Sequence, residues 1–171
     1  MSDVNTKLKV LFLGKKNDKY TEIASNICME KFKFSKIFFA SRNDKIDKSI
    51  SDWKGDIIIS YLFPKLIKKK LLFNTKIMPI NFHPGPPKYP GIGCTNYAIY
   101  NNEKQYGVTC HLMNNKFDAG EILKVTRFKV NKKETLYSLT QRSYLYLFEM
   151  YLNIIEQLRN NKFPEINKSE K

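Results

Sequence analysis

Four prolines and three glycines fall within the fourteen residues Ile80–Gly93, which read I-N-F-H-P-G-P-P-K-Y-P-G-I-G. No helix interior or central strand tolerates that density. Each proline removes a backbone donor and fixes φ, while each glycine admits φ values that other residues avoid. The stretch is therefore a stiff loop, and the apolar run that feeds it, Lys76–Phe82, reads as a strand. Asn81 and His83 stand two apart, so on such a strand both side chains leave the same face. An amide and an imidazole projected together from a strand end can polarise a carbonyl and move a proton. The alternative is a turn whose polar residues merely cap the strand, and this stretch alone weighs the two evenly.

The rest of the chain alternates strand and helix. Leu8–Gly14 is a short apolar run ending in glycine, the pattern of a buried first strand. Tyr20–Phe32 carries apolar residues at helical spacing. Ser35–Ser41 and Asp56–Leu62 read as the second and third strands, and a basic helical segment follows Pro64 to about Leu72. Beyond the loop, Cys94–Tyr100 reads as a short helix, Gly107–Met113 and Glu121–Val130 as strands, and Leu136–Leu158 as a long helix. This order predicts an α/β fold with a mostly parallel central sheet flanked by helices. With 171 residues there is room for one domain with a real core. It is expected over residues 1–164, with 165–171 a flexible tail.

Composition narrows the class. No run approaches the roughly 18 apolar residues of a membrane span, and the N-terminus has no signal-peptide pattern, so a cytoplasmic protein is expected. Cys28, Cys94 and Cys110 are widely spaced and imply neither a disulfide framework nor a zinc site. The formal charge of +14 suits nucleic acid, an anionic membrane surface or phosphorylated metabolites. The lysines are dispersed, however, with Lys68-Lys69-Lys70 the densest run, and no nucleic-acid-binding motif accompanies them. A phosphate-bearing small molecule is the favoured partner. After the first strand, Gly14-Lys15-Lys16-Asn17-Asp18 has a single glycine and so lacks the dinucleotide fingerprint.

A second stretch sharpens the reading. Tyr106–Ile122 contains Gly107-Val108-Thr109 and then Asp118-Ala119-Gly120. Taken with Asn81, His83, Pro84, Pro90 and Gly91, it resembles the folate-dependent formyltransferase family, whose pattern is N-x-H-P, a proline-rich loop ending in P-G, a G-V-T strand and a D-x-G turn. The likeness runs from about Asp56 to Leu139 and is nearest in look to the amino-sugar N-formyltransferases. Read without it, Asp118 is a turn aspartate before Gly120, Ile57–Ile59 are simply core, and His111 is a packed or hydrogen-bonded strand residue.

The resemblance implies a Rossmann-like formyltransferase fold and transfer of a formyl group from 10-formyltetrahydrofolate to a primary amine, without a metal. Asn81, His83 and Asp118 would be catalytic, the first two stabilising the tetrahedral intermediate and the third assisting proton transfer. Backbone groups at Ser60, Tyr61 and Leu62, with Asn115 and Gly120, would hold the folate. Tyr89, Cys94 and Tyr97 would lie near the acceptor. The loop after the first strand lacks the glycine and serine residues of glycinamide ribonucleotide formyltransferases. The chain also ends about fifty residues after Asp118, where methionyl-tRNA formyltransferases carry a further domain. The expected acceptor is thus a nucleotide-linked amino sugar, with glycinamide ribonucleotide and methionyl-tRNA as alternatives. A non-catalytic folate- or RNA-binding protein of the same fold is the alternative of another class. Tyr144, Tyr146, Phe148 and Tyr151 on the last helix would serve the core or a homodimer contact.

Overall fold

The computed structural model describes residues 7–170. Six strands run in the order β1 (Lys9–Lys15), β2 (Phe34–Ala40), β3 (Gly55–Tyr61), β4 (Thr75–His83), β5 (Gln105–Leu112) and β6 (Ile122–Lys129). Between and after them come α1 (Lys19–Lys31), α2 (Lys48–Ser51), α3 (Lys69–Phe73), α4 (Cys94–Tyr100) and α5 (Leu136–Arg159). The strands form one sheet in the order β2-β1-β3-β4-β5-β6. The pairings among β1 to β4 are parallel, and β5 and β6 add antiparallel at one edge.

This is the α/β fold expected from the sequence, with two differences. The basic segment after Pro64 is irregular until Lys69, so only Lys69–Phe73 is helical. Phe63 and Ile67 instead drop into the core and hold that segment open along the sheet end. The four-residue helix α2 was not foreseen, since one turn is too short to display a period.

Both faces of the central strands are covered, which is why β1 and β3 are apolar without alternation. Val10, Phe12, Ile57, Ile59, Ile80 and Phe82 face α1 and α5, where Ala24, Cys28, Leu147, Tyr151 and Ile154 meet them. Leu11, Leu13 and Ile58 face the other way, under Ile50, Phe63, Ile67 and Leu71. Asp18 caps α1 by accepting from the Thr21 amide at 3.0 Å, and Thr135 and Ser138 form a reciprocal capping box on α5. Those caps fix the ends of the two longest helices, which pack on each other and on one face of the sheet. The last described residues lie against β6. The Asn167 amide donates to the Ile122 carbonyl at 2.7 Å, and Arg127 pairs with Glu170.

Tyr61 sits fully buried between Phe12, Phe82 and Tyr151, with ring centroids 5.3–6.4 Å away. Its hydroxyl has no hydrogen-bond partner. A buried hydroxyl without a partner costs about 1–3 kcal/mol in lost hydration. Tyr61→Phe is therefore expected to stabilise the protein by about 1 kcal/mol in denaturant unfolding. A lower midpoint for Tyr61→Phe would show that the hydroxyl is bonded after all.

Among the described residues, no helix is long and apolar enough to cross a membrane. The strand order reverses direction about β1, and the crevice beyond the carboxyl ends of β1, β3 and β4 is where ligands of such sheets bind.

Candidate functional site

At the end of β4, Asn81 and His83 do leave the same face, and the neighbouring strands complete the arrangement. Ser60 of β3 pairs with Asn81 on one side, and His111 of β5 pairs with it on the other. That register brings a second imidazole to the amide. His111 Nδ1 lies 2.8 Å from the Leu112 carbonyl and donates to it, which leaves Nε2 as an acceptor in the neutral ring. Nε2 in turn lies 3.0 Å from Asn81 Nδ2, the other hydrogen of which goes to Asp118 Oδ1 at 2.8 Å.

Asp118 collects these groups. Besides Asn81, its Oδ2 accepts from the Gly91 amide at 2.9 Å and lies 3.3 Å from His83 Nδ1, while Oδ1 lies 3.4 Å from His111 Nε2. It sits in the left-handed region at φ 45°. A non-glycine residue held there near a polar cluster is a mark of function.

The stiff loop is built around His83. His83 Nε2 donates to the Tyr89 carbonyl at 2.9 Å, so Nδ1 turns to Asp118. A Cβ on Gly85 would lie 2.6 Å from that Nε2 and 2.9 Å from the Cys94 Cβ, so only glycine lets the chain pass so close to the ring. The Tyr106 hydroxyl and the Thr109 hydroxyl donate to the carbonyls of Pro84 and Gly85, tying the loop to β5.

Burial pushes the His83 pKa below its ordinary value, against the opposing pull of Asp118 and of the Tyr89 carbonyl. Burial alone would raise the Asp118 carboxyl. Contacts with His111, His83 and the Gly91 amide outweigh it and hold the carboxyl below the usual range. The resting pair is thus a neutral imidazole facing a carboxylate, a combination that gains an attractive contact when one proton enters between them. Both shifts make acid the destabilising direction. Below the ordinary histidine value of about 6.5 the unfolded chain binds a proton that folded His83 refuses. Around pH 4 the unfolded carboxyl protonates while Asp118 stays ionised. Stability therefore rises with pH through both windows. Thermal midpoints from pH 4 to pH 8 are expected to climb, and His83→Gln to flatten the upper part of the curve. A midpoint that peaks below pH 6 would show His83 buried as its cation.

The cluster forms the floor of a cavity of about 500 Å³. Of the residues expected from the sequence to bind ligands, Ser60, Leu62 and Cys94 line it. Leu62 does so from a left-handed turn at φ 53° that ends β3. The others do not line it. The Tyr61 ring points into the core on the opposite face, so only its backbone, the part expected to meet the folate, stands at the strand end. Asn114, Lys116 and Phe117 reach the cavity from the loop in which Asn115 was expected to do so. Gly120 packs directly beneath the Leu112 carbonyl and serves the turn. Tyr89 contributes its carbonyl to His83, while its ring stacks on the exposed Tyr97, 6.4 Å between centroids and away from the cavity. The Cys94 thiol lies 3.8 Å from the Pro84 carbonyl, and burial raises its pKa.

His111, read from the sequence as a packed or hydrogen-bonded strand residue, is buried and hydrogen-bonded, and its partners are the other site residues. Its signal was its place seven residues before Asp118 on the strand beside β4, but only the register shows that it faces Asn81. Lys15, Thr140 and Ser143 also line the cavity, as does Tyr144, which was expected in the core or at a subunit contact.

Residues 8–153 match the model of the formyl transferase family. The chain is 34% identical over 121 residues to the bifunctional polymyxin resistance protein ArnA of Wigglesworthia glossinidia brevipalpis, covering 69% of this chain and 18% of that one. It is 27% identical over 136 residues to the methionyl-tRNA formyltransferase of Mycoplasmopsis pulmonis, covering 79% and 47%. It is 31% identical over 104 residues to the GDP-perosamine N-formyltransferase of Brucella melitensis, covering 60% and 40%. The chain thus spans less than half the length of each of these curated relatives. Among solved structures, the N-formyltransferase from Helicobacter canadensis in complex with folinic acid and dTDP-3-aminofucose superposes with a TM-score of 0.75 at 21% identity. That match covers 96% of this chain and 70% of the other.

Proposed function

This chain belongs to the formyl transferase family, and on that premise we propose that it transfers a formyl group from 10-formyltetrahydrofolate to the primary amine of a nucleotide-linked amino sugar. The observation that carries the reading is the buried cluster in which Asn81, His83, His111 and the Gly91 amide converge on Asp118 at the floor of the cavity. The folate would lie along Ser60–Leu62, where the strand ends and the turn at Leu62 exposes backbone groups. The amino-sugar acceptor is supported by the GDP-perosamine enzyme and by the Helicobacter canadensis neighbour with its bound sugar nucleotide. Lys15 and Lys116 at the cavity suit a phosphate-bearing acceptor.

In this mechanism the acceptor amine attacks the formyl carbon and the carbonyl electron pair moves onto oxygen. The amine proton passes to Asp118 and is shared with His83 Nδ1, which is held at 3.3 Å with its lone pair toward the carboxylate. The C–N bond to the folate then breaks and the leaving nitrogen takes the proton back. Asn81 is the donor for the developing oxyanion, but both of its hydrogens are engaged in the resting site. For the oxyanion, one Asn81 N–H must turn from His111 Nε2 or Asp118 Oδ1 toward the formyl oxygen. Such a donor is worth a few kcal/mol in the transition state.

The test follows tetrahydrofolate release over a panel of nucleotide-linked amino sugars, glycinamide ribonucleotide and methionyl-tRNA, with His83→Ala as the blank. Turnover is expected with an amino sugar and a loss of about a hundredfold or more in the variant. Turnover with methionyl-tRNA alone would move the acceptor to the tRNA. Folate binding without turnover on any acceptor would leave a non-catalytic folate-binding protein.

A further inference from the structure

His83 stands between two acceptors, the Tyr89 carbonyl 2.9 Å from Nε2 and the Asp118 carboxylate 3.3 Å from Nδ1. A neutral imidazole has one N–H and satisfies only one of them. Which nitrogen keeps the proton therefore depends on how firmly the Tyr89 carbonyl is held. The side chain of Tyr89 is anchored outside the cavity. Its hydroxyl donates to Glu103 Oε1 at 2.5 Å and accepts from Asn101 Nδ2 at 2.9 Å, and Lys88 Nζ donates to the same Glu103 oxygen at 2.5 Å. Both anchors are fixed by the end of α4. The Asn101 amide donates to the Tyr97 carbonyl at 2.9 Å, and the Glu103 amide to the Ala98 carbonyl at 3.0 Å. Lys88 and then the Tyr89 hydroxyl hold the Glu103 carboxyl below its ordinary pKa, so it remains an acceptor at neutral pH. The Tyr89 ring stacks on Tyr97, and Pro90 confines the Tyr89 backbone to extended conformations, so ring and carbonyl move together. At the other end of α4, Cys94 adjoins Gly85 beside the same Nε2.

We propose that Glu103 and the Tyr89 hydroxyl are positioning groups for the formyl transfer: from outside the cavity they hold the Tyr89 carbonyl on His83 Nε2 and so keep the Nδ1 lone pair toward Asp118. The inference rests on the transfer reading above, in which Nδ1 shares the amine proton. None of Lys88, Tyr89, Asn101 and Glu103 lines the cavity, so the network reaches the reaction through His83. With the carbonyl slack, the single N–H of the neutral ring moves to Nδ1 and bonds the carboxylate. The lone pair then sits on Nε2, facing the loop, and the ring no longer shares the amine proton. The same carbonyl bears on the charge of the ring. Burial disfavours the His83 imidazolium, Asp118 and the Tyr89 carbonyl favour it, and His111 opposes it. Loss of the carbonyl therefore lowers the pH at which His83 takes up a proton. The nearby Cys94 thiol and Tyr106 phenol stay neutral, because burial raises both.

The chain has only two histidines, so NMR of protein labelled with heavy nitrogen in histidine resolves each ring nitrogen, and His111→Gln assigns them. Tyr89→Phe, Glu103→Ala and Glu103→Gln are compared with the intact protein by these spectra, by thermal midpoint and by formyl transfer over pH. In the intact protein at neutral pH, His83 Nε2 is expected at the protonated position and Nδ1 at the unprotonated one. Tyr89→Phe keeps the carbonyl and the ring and removes only the hydroxyl. In it and in Glu103→Ala the two resonances should converge as the tautomers mix, and the titration midpoint of His83 should fall by about half a pH unit. In both, kcat should drop about tenfold with KM unchanged, less than the loss of His83 itself costs. The acid limb of the rate profile should move down with the titration. Glu103→Gln keeps an acceptor for the Tyr89 hydroxyl and should restore most of kcat. Resonances that stay in place in both variants, with only a lower thermal midpoint, would make the network a structural brace and overturn the proposal. Displaced resonances with wild-type kcat would separate the tautomer from the rate and overturn it too. Displaced resonances with no turnover by the intact protein on any acceptor would uphold the hold on His83 and overturn the transfer reading instead.

Discussion

Asp118→Asn is expected to leave the fold intact and to reduce formyl transfer about a thousandfold, within the range that positioned acid–base groups contribute. Asparagine accepts the left-handed φ of 45° at this position about as well as aspartate does, so the backbone does not object. The side chain does. The carboxylate accepts from Asn81 Nδ2 and the Gly91 amide and faces one nitrogen of each histidine. An amide of the same shape has one acceptor oxygen, and its NH₂ must face either Asn81 Nδ2 or the Gly91 N–H, donor against donor. In the proposed mechanism it also can no longer take the proton from the attacking amine. The loss should fall on kcat while the affinity for the folate is kept, and the part of the stability–pH curve near pH 4 should disappear with the carboxylate. Wild-type kcat in the Asp118→Asn protein would remove Asp118 from the chemistry.

Gly120→Ala should produce the largest loss of stability, about 3 kcal/mol, seen as a thermal midpoint lower by about 6–12 °C. A Cβ at this position would stand 1.6 Å from the Leu112 carbonyl oxygen and 2.7 Å from its carbon. Those are backbone atoms and cannot rotate away. The Leu112 amide is itself bonded to the Glu121 carbonyl at 2.8 Å, so relief means opening the closure between the end of β5 and the turn that carries Asp118. His111 Nδ1 stands 3.2 Å from the same point, and activity should fall with stability. Gly91→Ala is the control. Gly91 is left-handed at φ 83°, but a Cβ there meets nothing within 4 Å, so its cost is the backbone conformation alone, about 1 kcal/mol. Equal costs for the two substitutions would mean that conformation, and not the close approach to Leu112, explains Gly120.

The comparison between these glycines also shows why the two halves of the family pattern were legible for different reasons. The proline-rich loop announces itself because proline and glycine act locally, through φ and the missing donor, and need no partner to be read. The D-x-G turn is locally unremarkable. Its glycine is required by the Leu112 carbonyl, and its aspartate is bonded to residues 27 and 37 positions away.

The same division runs through the whole molecule. The strand and helix order, the mostly parallel sheet and the same-face placement of Asn81 and His83 were readable from periodicity, since burial on both faces writes continuous apolar runs and the pleat has a period of two. Asp118 as a site residue rested on the family pattern alone. The cavity walls were not readable: Thr140, Ser143 and Tyr144 come to the cavity from a helix whose pattern shows only one apolar stripe. The pairing of His111 with Asn81, which gives the site its second imidazole, depends on the antiparallel register of β4 and β5. Register is a property of two strands and the turn between them, so no periodicity within either strand contains it. What the sequence by itself determined was the stiff loop, the order of elements and the face of β4 that carries Asn81 and His83. The tertiary structure alone decided what that face meets, because residues far apart in the chain become neighbours only through pairing and packing.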